Sequence, residues 1–170
     1  MKDKFLGIFL GFAGYTIFVF LDSIIKKYLV QDYPVLEINF YICLFSLIPI
    51  SIALQFVTGW GVLINNKVHI QLFRGFLGLI CAAIIINSFK EHAFSEIYPI
   101  LFSAPLILTL LSYFVLKEKV GPRRIIAVLV GFIGVLIVSR PGTIHFTFSL
   151  FLLFIGAIIL AVNVLLIRMY

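Results

Sequence analysis

The sequence predicts an all-α integral membrane protein of six transmembrane helices, and three observations carry that prediction. Of 170 residues, 63% are hydrophobic and only 12% are charged, about half the roughly 25% charge of a soluble domain. Mean hydropathy is +1.21. The apolar residues fall in long blocks separated by short polar pieces, which leaves no room for a soluble domain. A helix needs about 20 apolar residues to cross the ~30 Å hydrocarbon layer. Six blocks meet or approach that length: Phe5–Leu21, Ile38–Val57, Leu72–Phe89, Ile97–Leu116, Pro122–Ser139 and Phe146–Ile167.

Span 1 does not read as a signal peptide, because it lacks a small-x-small cleavage site and runs on into Asp22 and Lys26. Gly7 and Gly11 form a GxxxG in it. Gly75 and Gly78 open span 3, and Gly131 and Gly134 lie inside span 5. Such small residues let helices approach closely in lipid, either within the bundle or across a dimer contact. Pro49, Pro99 and Pro105 lie within spans, each removing a backbone donor and favouring a bend. Two prolines in span 4 predict that it bends, around a cavity or around irregular packing.

Ionisable and polar side chains at membrane depth are costly and mark candidate sites. Asp22 precedes Lys26 by four residues, so a regular helix would place the pair on one face, either as a gate or substrate contact or as a local ion pair. Glu37 and Glu96 precede spans 2 and 4. Glu96, Pro99 and Ser103 recur at helical spacing, with Tyr98 on a different side. Asn87 and Ser88 near the end of span 3, and Asn163 in span 6, add neutral groups that could bind substrate or hold helices together. The substrate-binding or gating candidates are therefore Asp22, Lys26, Asn87, Glu96, Ser103 and Asn163.

The net charge of +6 points to membrane orientation rather than to nucleic acid. With the N-terminus in the cytoplasm, nine basic residues (Lys2, Lys4, Lys67, Arg74, Lys117, Lys119, Arg123, Arg124 and Arg168) lie inside and four (Lys26, Lys27, Lys90 and Arg140) outside, as the positive-inside rule requires. The KEKVGPRR stretch is then a cytoplasmic hairpin between spans 4 and 5. Cys43 and Cys81 fall inside apolar blocks and form no extracellular disulfide framework. His69, His92 and His145 lie in loops or at span edges, and no hydrolase, phosphate-loop or metal-ligand motif is present. No catalytic residue, metal or cofactor is expected, and no selectivity-filter segment favours a channel.

Span 1 and span 6 align without gaps, Asp22 falling on Asn163 and Lys27 on Arg168. Five spans separate the two copies, so the second is inverted, a recurrent construction of secondary transporters. On this reading residues 1–142 form one five-helix repeat and residues 143–170 the first helix of a second.

Several segments resemble the drug/metabolite transporter superfamily, the EamA-type carriers. They are Asp22-Ser-Ile-Ile-Lys26, Tyr33-Pro34 with Glu37-Ile-Asn-Phe40, and Leu72-Phe-Arg74-Gly75. Phe102-Ser-Ala-Pro105 through Leu116-Lys-Glu118 follows, then Gly131-Phe-Ile-Gly134-Val135 through Arg140-Pro141-Gly142. Individually weak, in order and at this spacing they cover nearly the whole chain. Two departures stand out: Ile42 follows the aromatic pair where the family often has arginine, and one repeat plus one helix stands where the family generally has ten helices. The resemblance implies alternating-access transport of a small organic metabolite across a bacterial inner membrane. It also implies an energy source in a gradient, exchange or protons, for which Asp22 and Glu96 are the proton-carrying candidates. The Asp-x-x-x-Lys and Glu-Ile-x-Phe details are similar to S-adenosylmethionine carriers of intracellular bacteria. The implied partners are the lipid bilayer, the metabolite, and a missing C-terminal half or a second copy. The alternative is a truncated non-transporting fragment or an assembly subunit, while an antiparallel dimer conflicts with the charge bias.

Replacing Arg123 and Arg124 by Glu should disturb the orientation of spans 4 and 5. A reporter-fusion topology map unchanged by the double substitution would show that the basic hairpin does not set topology.

Overall fold

The computed structural model describes residues 2–59, 67–117, 121–139 and 147–169. Among these every regular element is helical. Helix α1 (Lys2–Ile24) runs into a widened π turn, Ile25–Leu29, and α2 (Val35–Ala53) into a second, Leu54–Thr58. Then come α3 (Val68–Glu91), α4 (Phe94–Leu101), α5 (Ala104–Val115), α6 (Pro122–Ser139) and α7 (Phe148–Met169). Pro34, extended at φ −61° and ψ 142°, stands immediately before α2, where its missing N–H costs the helix nothing.

Five segments are long and apolar enough to span a membrane: Phe5–Leu29, Val35–Phe56, Val68–Glu91, Phe94–Val115 and Phe148–Met169. The remaining expected span corresponds to α6, whose described apolar stretch is Ile125–Gly134. Glu118 and Lys119 of the basic hairpin, Arg140-Pro141-Gly142, His145 and Phe146 lie outside the described residues.

The bend expected in span 4 is a break at Phe102 and Ser103 that separates α4 from α5. Pro105 is the second residue of α5, and lacking an N–H it offers no helical donor to the carbonyl four residues back. Phe102 N–H still reaches the Tyr98 carbonyl at 2.8 Å, Ser103 N–H tightens onto Ile100 at 3.1 Å, and the ladder resumes when Ile107 N–H meets the Ser103 carbonyl at 3.0 Å. The Ser103 hydroxyl also donates to the Ile100 carbonyl, at 2.6 Å. Ser103 is thus occupied by its own backbone, and the break interrupts the face it was expected to share with Glu96 and Pro99. Both halves of this span pack along α7.

Helix α7 is the centre of the bundle, packed against α3, α4 and α5. Leu153, Ala157, Ala161 and Leu165 recur every fourth residue and are all buried, a stripe that faces the neighbouring helices. A Cβ at Gly156 would sit 3.3 Å from Ile84 Cγ2, and Cys81 Sγ donates to the Gly156 carbonyl at 3.4 Å. The glycine that permits close approach is therefore Gly156. The sequence motifs pointed elsewhere: a Cβ at Gly7, Gly11, Gly75, Gly131 or Gly134 would meet nothing within 4 Å, and at Gly78 only Asn163 Nδ2 at 3.8 Å. A small residue permits contact but does not create a neighbour, and these faces have none among the described residues. From Phe5 to Phe20 every residue of α1 except Ala13 is exposed.

The apolar core lies at one end of the bundle. Ile25 and Val30 after α1, Ile38 early in α2, Ile86 and Phe89 late in α3, Ile97 in α4, and Leu150 and Leu153 early in α7 form one cluster. Alternating helix directions bring these segments together.

Gly156→Val should lower stability in detergent by about 1–3 kcal/mol, the usual cost of overpacking, whereas Gly11→Val should leave thermal unfolding nearly unchanged. Equal effects at the two sites would refute the assignment of the α3–α7 contact to Gly156.

Candidate functional site

The polar groups of the chain gather beside this core. Across the π turn the Val30 N–H bonds the Ile25 carbonyl five residues back, at 3.0 Å. The wider turn rotates residues after Ile24 out of α-helical phase. Asp22 and Lys26 consequently do not pair, and the expected i,i+4 contact is corrected. Asp22, only 6% exposed, accepts a hydrogen bond from the Tyr98 hydroxyl at 2.9 Å. The Lys26 ammonium instead reaches the end of α3 and donates to the Phe89 carbonyl at 2.9 Å and to the His92 carbonyl. The last carbonyls of a helix have no intrahelical donor and carry its negative dipole end, so a cation there serves both needs. Lys26 Nζ also lies 5.3 Å from the Phe94 ring centroid.

His92, just past α3, is 7% exposed, and its ring joins α4 to the start of α7. Its Nδ1 lies 2.8 Å from Glu96 Oε2 on α4, and its Nε2 lies 2.9 Å from Thr147 Oγ1 at the start of α7. The Thr147 oxygen also accepts the Leu150 N–H at 3.4 Å. A neutral ring protonated on Nδ1 satisfies the whole set: Nδ1–H donates to Glu96, and the threonine hydroxyl donates to Nε2. The Glu91 carboxylate stands 3.8 Å from Nε2. Rings of Phe89, Phe94, Tyr98 and Phe102 follow one another at centroid separations of 5.4, 5.4 and 6.0 Å, walling the cluster along α4.

The structure thus links Asp22, Lys26 and Glu96 through Tyr98 and His92. It does not bring Ser103, Asn87 or Asn163 to the same place. Asn87 is exposed and lines a separate cavity of about 290 Å³ with Ser88 and Ser149. Asn163 sits toward the far end of α7, where its amide donates to the Arg74 carbonyl at 2.9 Å and its oxygen accepts from Arg74 Nε at 3.3 Å. Nearby on α7, Arg168 reaches the buried Ser112 hydroxyl at 3.5 Å. Sequence reasoning passed over His92, Tyr98 and Thr147, and also Asn39, which is buried and donates to the Leu79 carbonyl at 3.2 Å. A signal for Tyr98 existed: a lone tyrosine two residues after Glu96, on the face opposite it. No group of three His, Cys, Asp or Glu among the described residues could hold a metal ion.

Long apolar helices joined by short connections, with Asp22, Lys26 and Glu96 tied at one end, define a multi-pass helical membrane protein. The chain belongs to the EamA-like transporter family, whose sequence profile matches residues 5–140. It is also similar to human solute carrier family 35 member G1, at 26% identity over 137 residues. That alignment covers 80% of this chain and 37% of the relative's length. No solved structure matches. These are families of transporters rather than enzymes.

Lys26→Met keeps the apolar stem but leaves the end of α3 without its donor. It should destabilise the protein by about 1.5–3 kcal/mol, the worth of hydrogen bonds to a charged group, read as a fall in Tm in detergent. An unchanged Tm would mean that water satisfies these carbonyls equally well.

Proposed function

We propose that this protein transports small organic metabolites by alternating access, in a bacterial inner membrane with its N-terminus in the cytoplasm. On this reading residues 1–142 form the first five-helix repeat, residues 143–170 the opening helix of an inverted second repeat, and the remaining helices of a ten-helix carrier complete the translocation cavity. The observation that carries the proposal is the asymmetry of the bundle. Its outer end is closed by Asp22–Tyr98, by Lys26 on the end of α3 and by Glu96–His92–Thr147. Away from that end, α1 is exposed from Phe5 to Phe20 apart from Ala13.

Such an arrangement suits one state of a carrier closed toward the outside. The outer end combines these polar contacts with the apolar cluster around Ile25, Phe89, Ile97 and Leu150, and opening would part both while leaving the helices themselves intact. Rocking of one repeat against the other about a midplane site is the general mechanism of such folds. Asp22 and Glu96, held by Tyr98 and His92 in the closed state, are the groups whose release would accompany opening. The family match over residues 5–140 includes the helices that carry Asp22, Lys26, Tyr98 and Glu96, which supports assigning them the carrier's role.

A thiol placed at Ser88, 1% exposed beside the tie, reports its closure. In a background lacking Cys43 and Cys81, Ser88→Cys should resist a membrane-impermeant thiol reagent from the outer face. Combining it with Tyr98→Phe or Lys26→Met should make it reactive. Reactivity unaltered by either substitution would show that the tie is not a gate.

A further inference from the structure

A second cavity, of about 690 Å³, lies apart from the tie, between the end of α1 and one face of α2. Its polar character comes from a short run. Tyr33 stands just before α2, and Glu37, Tyr41 and Phe45 follow at intervals of four residues, so the last three lie along one helix face. All four line the cavity, with Leu21, Leu29, Ile38, Ile42 and Ser46 completing it. The Glu37 carboxylate has no hydrogen-bond or ion-pair partner among the described residues, and no basic side chain lines the space. The rings of Tyr41 and Phe45 lie 6.3 Å apart at 25° to one another.

We infer that this groove binds a small organic cation, its charge held against Glu37 and its substituents against the rings of Tyr33, Tyr41 and Phe45. A compact methylated ammonium is weakly hydrated, and aromatic faces attract it through their quadrupole, by about 0.5 kcal/mol at exposed sites and 2 or more when desolvated. One carboxylate amid three aromatic rings opposes an anion and gives a neutral ligand no advantage. Taking the bound cation for a substrate rests on the transporter reading above. The site itself does not, so it is tested by equilibrium binding rather than by uptake.

The same chemistry can come from a soluble metabolite or from a choline headgroup, and the experiment separates them. The full chain is placed in phosphatidylglycerol nanodiscs and titrated calorimetrically with choline and with 3,3-dimethylbutan-1-ol, its neutral isostere. Choline should bind, and the isostere should bind about tenfold more weakly or not at all. Glu37→Gln should weaken choline about tenfold and Tyr41→Leu about three- to tenfold, while Tyr41→Phe, which keeps the ring face, should stay near the native affinity. If Glu37→Gln fails to fold, the Leu and Phe variants at Tyr41 decide the matter. Unchanged choline affinity in phosphatidylcholine discs assigns the site to a soluble cation, and suppressed affinity assigns it to the lipid headgroup. No choline binding in phosphatidylglycerol, equal affinity for the isostere, or indifference to Glu37→Gln overturns the inference. Failure of the gate test with choline binding intact would overturn only the transporter reading.

Discussion

One ammonium group holds the end of the bundle together. Helix α3 ends at the margin of the apolar layer, where its last carbonyls have lost their helical donors and water is scarce. Lys26 supplies donors to two of them from another helix, and so fixes α1 to α3. The other ties build on that fixed point. With α1 held, Asp22 meets Tyr98 on α4. With the His92 carbonyl held, its ring is presented to Glu96 and to Thr147 at the head of α7. The π turn is what allows this, because it turns Lys26 away from Asp22 and toward the end of α3.

Away from that end, attraction between helices has to come from packing. Lipid tails are as apolar as leucine, so no hydrophobic force draws a transmembrane helix onto its neighbour. Helix α7 wins a central place because its alanines and Gly156 let α3 approach closely, and because Asn163 and Arg74 exchange two hydrogen bonds along the same contact. It does so although the family match ends at residue 140, before α7 begins. Helix α1 is less apolar than α7, and from Phe5 to Phe20 it lacks such a partner among the described residues.

Much of the architecture was legible in the sequence because it depends on local composition and chain chemistry. Block length marked the spans, and Pro105 marked the break between α4 and α5. Asp22, Lys26 and Glu96 stood out because ionisable groups at depth are rare. Their partners were less legible. The i,i+4 rule assumes an uninterrupted α-helix, and nothing in Ile25–Leu29 announces a wider turn. His92 reads as a loop histidine until its ring is seen to be buried between α4 and the start of α7. The glycine pairs misled because close approach takes two surfaces, and a single helix sequence describes only one of them.

The break at Phe102 and Ser103 has a mechanical consequence. It places a joint in the middle of a span whose first half, α4, is bound to the lysine-held cluster through Glu96 and whose second half, α5, lies along α6 and α7. A helix of 12 residues is about 18 Å long at 1.5 Å per residue, so a turn of roughly 10° at the joint swings its far tip by about 3 Å. That displacement is comparable to the width of a water molecule. A small change of angle at these two residues is therefore multiplied along α5, as the throw of a lever grows with the length of its arm.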